Sequence, residues 1–278
     1  MIRVKIRDYY DDNNIDCNKY LYHYTSLSTG MEHILNNGTL RLSPFSKVND
    51  PKESKERFIV IRYSSVMRPF SENEKIRNRA NKILMNCSKA ICFSCDNTRL
   101  NTISKDEKIF YRGYCKPRMW AQYGENHRGM CLVFDKKKLI NSVKNYTIGK
   151  GNLFSGKVQY KNNSKEMDAF NFDYSLIDKF GLEDYLFRFH FDKYKKEVFF
   201  SKLLDWRDEQ EFRIVLVNNE DGYLDVPFQD SLASICIGAN FPKVFITSLI
   251  NITDKYNVNL KRIRWMNGVP EVYDIGKT

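Results

Sequence analysis

Short apolar runs separated by polar turns open the chain. The aromatic run Tyr20-Leu21-Tyr22-His23-Tyr24 predicts a strand. After it, Thr29-Gly30-Met31-Glu32 has capping-box spacing, and Met31, Ile34 and Leu35 form a helical stripe that Asn37-Gly38 stops. Residues 39–43 read as a second strand. Val48-Asn49-Asp50-Pro51 reads as a turn that places Pro51 first in a helix. The pattern then predicts a helix over 71–88, a strand over 89–94, a polar loop, a helix over 117–125 and an apolar strand over 128–135. Residues 165–204, rich in Phe and Tyr, read as mostly helical. Strands follow at 211–217, 234–237 and 260–266, with a helix from about 242 to 256.

Strands and helices mix without a regular βαβ rhythm, and no repeat or flexible linker interrupts them. The expected fold is α+β, a largely antiparallel split sheet with surrounding helices, in one domain over 1–278.

The composition narrows the class. Of 278 residues, 42% are hydrophobic and 28% charged, which excludes a disordered chain. No apolar run reaches the ~18 residues of a membrane helix, and residues 1–7 lack a signal-peptide core, so a cytoplasmic protein without membrane contact is expected. Seven cysteines, several inside apolar runs, fit core packing in a reducing compartment. Cys92 and Cys95 have CxxC spacing but no second ligand pair, so no metal site is expected.

Charge is uneven. The net charge is +11, and residues 41–118 hold 18 basic against 8 acidic side chains. A block of this kind favours phosphate-bearing partners, DNA or RNA, with Arg77, Arg79, Lys82, Arg112 and Arg118 as candidate contacts. The alternative is a solvated basic face.

Phosphate-loop, dinucleotide-fold, HExxH and GxSxG motifs are missing. What remains are polar residues at the ends of apolar strands: His23-Tyr24-Thr25, Phe93-Ser94, and Glu209-Gln210-Glu211-Phe212-Arg213. In a strand, Glu209, Glu211 and Arg213 share a face, and the arginine could relieve the repulsion between the carboxylates. A solvated edge strand is the other reading. Trp120 also fits a core anchor, His23 a histidine bonded to backbone, His127 a turn, and Asn49-Asp50 a helix cap.

Several strings together resemble the bacterial domain of unknown function 2971 family: Leu21 to Thr25, Gly38 to Ser43, Val48 to Pro51, Cys92-Phe93-Ser94, Met119 to Gly124, His127 to Asp135, and Glu209 to Ile214. The likeness spans about 20–240 and leaves 241–278 as a strand and helix extension. The motif order is similar to that of the ADP-ribosyltransferase fold of the His-Tyr-Glu type, where a cleft between two small sheets holds NAD.

The resemblance implies roles. His23, assisted by Thr25, would donate to a ribose or phosphate. Tyr24 or Tyr123 would stack on nicotinamide, and Ser94 would brace Glu211. Glu211 would stabilise the oxocarbenium-like sugar, and Glu209 would deprotonate an acceptor. It also implies a toxin or anti-phage effector with a partner defence or antitoxin protein; given that reading, the basic block over 41–118 and the aromatics over 110–123 favour a nucleic-acid acceptor. A non-catalytic nucleic-acid-binding module and a metal-dependent nuclease built on Asp50, Glu209 and Glu211 are the alternatives.

Overall fold

The computed structural model describes residues 19–63, 69–162 and 165–275. Cys17 and residues 1–7 lie outside them. Among the described residues the strands are β1 (Tyr20–Thr25), β2 (Thr39–Pro44), β3 (Val60–Arg62), β4 (Ser88–Ser94), β5 (Met130–Asp135), β6 (Asn152–Lys157) and β7 (Gln159–Tyr160). Then come β8 (Asn171–Asp173), β9 (Ser201–Lys202), β10 (Glu211–Val217), β11 (Leu224–Pro227), β12 (Leu232–Ile237), β13 (Asn259–Met266) and β14 (Val269–Asp274). The α-helices are α1 (Pro51–Ser54), α2 (Phe70–Lys82), α3 (Pro117–Gln122), α4 (Lys136–Tyr146), α5 (Tyr174–Phe180), α6 (Leu182–Tyr185), α7 (Phe191–Phe199) and α8 (Ile246–Tyr256).

The fold is α+β, with a large, mostly antiparallel open sheet. Its order is β11-β2-β4-β1-β5-β12-β13-β14, with β10 and β6 continuing from the other edge of β4. Only β12 and β13 run parallel within it. Two parallel pairs, β3–β8 and β7–β9, lie apart.

Strand β4 organises the centre. One edge is paired along its length with β10, from Ser88↔Val217 to Ser94↔Glu211. The other edge is shared: β2 takes Lys89 and Ala90, and β1 takes only Ser94, through Tyr22. Strand β1 instead pairs along its whole length with β5. The sheet therefore opens between β1 and β4 beside residues 91–93.

Alternation of side chains builds the core on both faces. On one face Leu21, Phe93, Phe134, Phe212, Ile214 and Ile235 pack under Leu139 and Val143 of α4 and Leu249 of α8. The other face is divided. Ala90, Val215 and Val217 meet the aromatic group Phe172, Phe191 and Phe199, while Tyr22, Tyr24, Cys131 and Ile263 meet Trp120.

Local signals explain most boundaries. Asp50 caps α1 by accepting from the Lys52 amide at 2.9 Å, with Pro51 in the first turn, and Asp135 caps α4 through Lys138. The capping box at Thr29 does not form. The hydroxyl of Ser26 accepts from the Thr29 amide instead, and residues 29–35 wind as a π-helix. The stretch 165–204 is less helical than its pattern predicts. Gly181, at φ +80°, parts α5 from α6, and β8 and β9 interrupt the helices. Strands β6, β7, β8, β9, β11 and β14 carry no clear alternation and escape the sequence reading.

The six described cysteines are free. Among the described residues no helix is long and apolar enough to cross a membrane.

Candidate functional site

Where β1 and β4 part, a cavity of about 240 Å³ opens. His23, Tyr24, Cys92, Ser94, Tyr123, Lys202, Glu209, Glu211 and Arg213 line it, with Arg41, Lys47 and Asn49 among its other residues. Six of the residues singled out in the sequence, His23, Tyr24, Ser94, Tyr123, Glu209 and Glu211, from four separate segments, therefore meet in one place.

The wall contributed by β10 is a buried chain of charges. Register aligns Glu211 with Ser94 and Arg213 with Cys92 on one face. Arg213, fully buried, donates to Glu211 at 2.6 Å through Nε and at 3.0 Å through Nη2. Its two Nη atoms also engage both carboxylate oxygens of Glu53, and Nη1 reaches the Phe199 carbonyl at 2.9 Å. Lys202 completes the chain: its Nζ lies 2.9 Å from Glu211 Oε2 and 2.7 Å from Glu209 Oε2. The other oxygen of Glu209 accepts from the Tyr123 hydroxyl at 2.8 Å.

Electrostatics follow from this pairing. Burial disfavours an ionised Glu211, but Arg213 and Lys202 outweigh it and hold the carboxyl below the usual carboxylate range. Burial also opposes a charged Lys202, and Glu211 and Glu209 more than reverse that, so its ammonium is held well above the ordinary lysine value. Burial pushes the Tyr123 phenol up, and the neighbouring Glu209 adds to this. Burial pushes Glu53 up as well, against the pull of Arg213.

Glu209 does not belong to the strand. Gln210 takes a left-handed conformation at φ +46°, so Glu209 ends a 3-10 turn and the expected same-face spacing with Glu211 is broken. Side-chain reach, with Lys202 between them, brings the two carboxylates together. The Glu209 carbonyl is pinned by the Ser94 hydroxyl at 2.9 Å and by Lys116 Nζ at 3.1 Å. Ser94 thus braces the turn before β10, and not the Glu211 carboxylate. Burial pushes Lys116 down to about 8.

On β1, His23 Nδ1 lies 3.0 Å from the Cys92 carbonyl. A carbonyl only accepts, so Nδ1 carries the proton and Nε2 is left as an acceptor. Burial lowers the His23 pKa, against the opposing effect of that carbonyl. Tyr24 donates its hydroxyl to the Gly113 carbonyl at 2.7 Å and meets Trp120 edge-on, so its polar end is committed to the core. Thr25 is buried at the end of β1 opposite Met130 and does not line the cavity.

Of the cations proposed for nucleic acid, Arg77, Arg79 and Lys82 share α2, while Arg112 and Arg118 lie outside it. Arg112 is buried and ion-paired with Asp96 at 3.2 Å, which corrects its reading as a surface contact. Arg79 pairs with Glu183 at 2.7 Å and Lys82 with Asp221 at 3.0 Å. Arg77 donates to the Ile59 carbonyl, and Arg118 to the Asp205 carbonyl while facing Trp206. Acidic groups from distant segments thus meet part of a block that looks unopposed in sequence. Among the described residues no group of three or more His, Cys, Asp or Glu side chains could hold a metal ion, and Asp50 instead caps α1.

Lys202, Glu53, Lys116 and Cys92 escaped the sequence reading as site residues. Lys202 sits in a two-residue strand without periodicity. Glu53 lies in a four-residue helix next to the turn residues that did stand out.

Residues 119–214 match the model of a family described as a protein of unknown function, DUF2971. Over this stretch the resemblance read from the sequence holds. The matched segment carries Tyr123, Lys202, Glu209, Glu211 and Arg213, whereas His23 and Ser94 reach the cavity from outside it and Glu53, also outside it, holds Arg213. No curated protein and no solved structure matches the chain.

Proposed function

We propose that the cleft binds NAD and promotes cleavage of its nicotinamide–ribose bond, as an ADP-ribosyltransferase-like enzyme or an NAD glycohydrolase. The observation that carries this reading is the convergence of His23, Ser94, Tyr123, Glu209 and Glu211 on one cavity where two strands separate. The link to the ADP-ribosyltransferase fold is a fold-level analogy, so the chemistry has to be argued from the site.

Three features of the site support it. Glu53, Glu209 and Glu211 face Lys202 and Arg213, three carboxylates against two directly paired cations, with Lys116 on the Glu209 carbonyl. A nicotinamide ring carrying positive charge suits such a cavity, and the half-buried Tyr123 adds an aromatic face. His23 would accept from a ribose hydroxyl through Nε2, a reversal of the donor role expected from the sequence. Lys47, exposed, lies among the cavity residues and suits a diphosphate, beside Arg41, whose guanidinium already pairs with Asp225 at 2.8 Å. The volume falls below the ~300–1,000 Å³ of typical ligand pockets, so it would take the nicotinamide riboside end, with the rest of the dinucleotide along its mouth.

In the reaction the bond between C1′ and the ring nitrogen breaks, and its electron pair leaves with nicotinamide. Positive charge grows on the ribose and is met by the fixed acidic wall. A lone pair from water or an acceptor hydroxyl forms the new bond to C1′, and its proton passes to a carboxylate.

Release of nicotinamide from NAD tests the proposal, assayed with water alone and with RNA, DNA or protein as acceptor. Turnover is expected in at least one condition. Its absence in all of them overturns the reading.

A further inference from the structure

We infer that Glu209 is the carboxylate that meets the ligand's cationic ring, and that Glu211 is a positioning residue acting on it through Lys202. This rests on the NAD reading of the same cleft and divides the work of its acidic pair differently from the motif order, which points to Glu211.

The argument is one of acceptor capacity. An ionised carboxylate offers about four lone-pair sites. Glu211 accepts from Arg213 Nε and Nη2 at 2.6 and 3.0 Å and from the Cys92 thiol, and it is ion-paired with Lys202 Nζ at 2.9 Å. Arg213 cannot swing aside, because both Glu53 and the Phe199 carbonyl hold it. Glu209 accepts from only Tyr123 and Lys202, at 2.8 and 2.7 Å, which leaves about half its capacity for a ligand.

Position and charge point the same way. Glu209 touches Tyr123, which is half-buried, and the Tyr123 hydroxyl is 3.4 Å from the exposed Asn49, so this end of the network lies toward the mouth. Two cations pair directly with the Glu211 carboxylate and would repel a positively charged ring; one pairs with the Glu209 carboxylate, and Lys116 sits on the Glu209 backbone carbonyl instead. Ser94 and Lys116 fix the backbone that carries Glu209, so its carboxylate is aimed without being saturated.

Calorimetric titration with 1-methylnicotinamide, a permanent ring cation, and with neutral nicotinamide separates the two roles without any turnover. The wild-type protein is expected to prefer the cation. Glu209→Gln should cut that preference roughly ten- to a hundredfold, the Coulomb attraction of two opposite charges in close contact at a partly solvated site. Glu211→Gln should reduce it only a few-fold, by releasing Lys202 wholly onto Glu209. Tyr123→Phe, which removes the hydroxyl's bond to Glu209 and only its exposed contacts with Asn49 and Gln122 besides, keeps the ring; it should also shift the preference a few-fold, and it carries the test if Glu211→Gln does not fold.

An equal or larger loss in Glu211→Gln, or an unchanged preference in both Glu209→Gln and Tyr123→Phe, overturns the assignment. An unchanged preference in a folded Glu211→Gln overturns the positioning role. A wild-type protein that binds neither ring at millimolar concentration overturns the whole inference. Ring binding as expected, without nicotinamide release from NAD, leaves Glu209 as the ring-binding carboxylate and sinks the transferase reading.

Discussion

Tyr22 and Ser94 form the one register pair that joins β1 to β4. On either side of that pair the strands have other partners, β5 for β1 and β10 for β4, so the cavity is a consequence of pairing. The Ser94 side chain has a further task, since its hydroxyl bonds the Glu209 carbonyl across a separation of 115 residues.

Ser94→Ala removes that bond, while Lys116 still serves the same carbonyl. The expected cost is therefore about 1 kcal/mol, or a fall of about 2–4 °C in melting temperature for a chain of this size. Calorimetric melting checks it. A loss of several kcal/mol would mean that Ser94 supports more than the turn before β10.

Arg213→Met should be far more damaging. It leaves Glu53 and Glu211 buried without their shared guanidinium, and breaking a buried pair from one side costs about 3–5 kcal/mol. Lys138→Met supplies the contrast, because its pair with Asp230 is exposed and is worth about 0.5 kcal/mol or less. Urea unfolding of the two variants should separate them clearly, and similar midpoints would refute the role given to the network.

Acid should weaken the fold through His190, with His23 acting in the same direction, before it reaches Glu211. His190 is buried, donates from Nε2 to the Ala169 carbonyl and accepts at Nδ1 from Tyr185, and burial pushes its pKa from 6.5 down to about 4. Between those values the unfolded chain holds the extra proton, so stability falls as pH drops through that window, by about 3 kcal/mol in all. Glu211 acts lower down. Its folded value is depressed, so its contribution is complete above the ordinary carboxylate range and is lost only as pH falls below about 4.5. The slope of unfolding free energy between pH 6.5 and 4 should flatten in His190→Gln. An unchanged slope would show that another group carries it.

Much of this was legible in the sequence, for identifiable reasons. The strand over 89–94 and the strand beginning at Glu211 stood out because apolar residues fill both faces, and Asp50-Pro51 announced its helix by turn chemistry. His23, Ser94, Glu209 and Glu211 stood out because polar groups at the ends of such strands are anomalies. Their partners were not legible. Lys202 and Glu53 lie in elements of two and four residues, too short for a period, and only tertiary pairing gives them a role. The partners of the basic block were hidden for the same reason, since local charge counts cannot see Glu183, Asp96 or Asp221 arriving from elsewhere.

Lys202 offers the sharpest test of the charge network because its removal should reverse a sign. In the wild-type chain its ammonium lies between Glu209 and Glu211, and the Glu211 carboxyl is held low, so acid destabilises. Lys202→Met leaves two buried carboxylates facing each other, and one of them should retain a proton well above the ordinary range. The folded variant would then bind more protons than the unfolded chain near pH 5–6, and that term makes stability fall as pH rises. Lys202→Arg keeps a cation and should preserve the wild-type direction. Unfolding curves for Lys202→Met and Lys202→Arg between pH 4.5 and 7 check this, ideally in a His190→Gln background so that the imidazole does not mask the slope. If Lys202→Met shows the same slope as Lys202→Arg, the two glutamates are not coupled through Lys202, and the division of labour inferred for them goes as well.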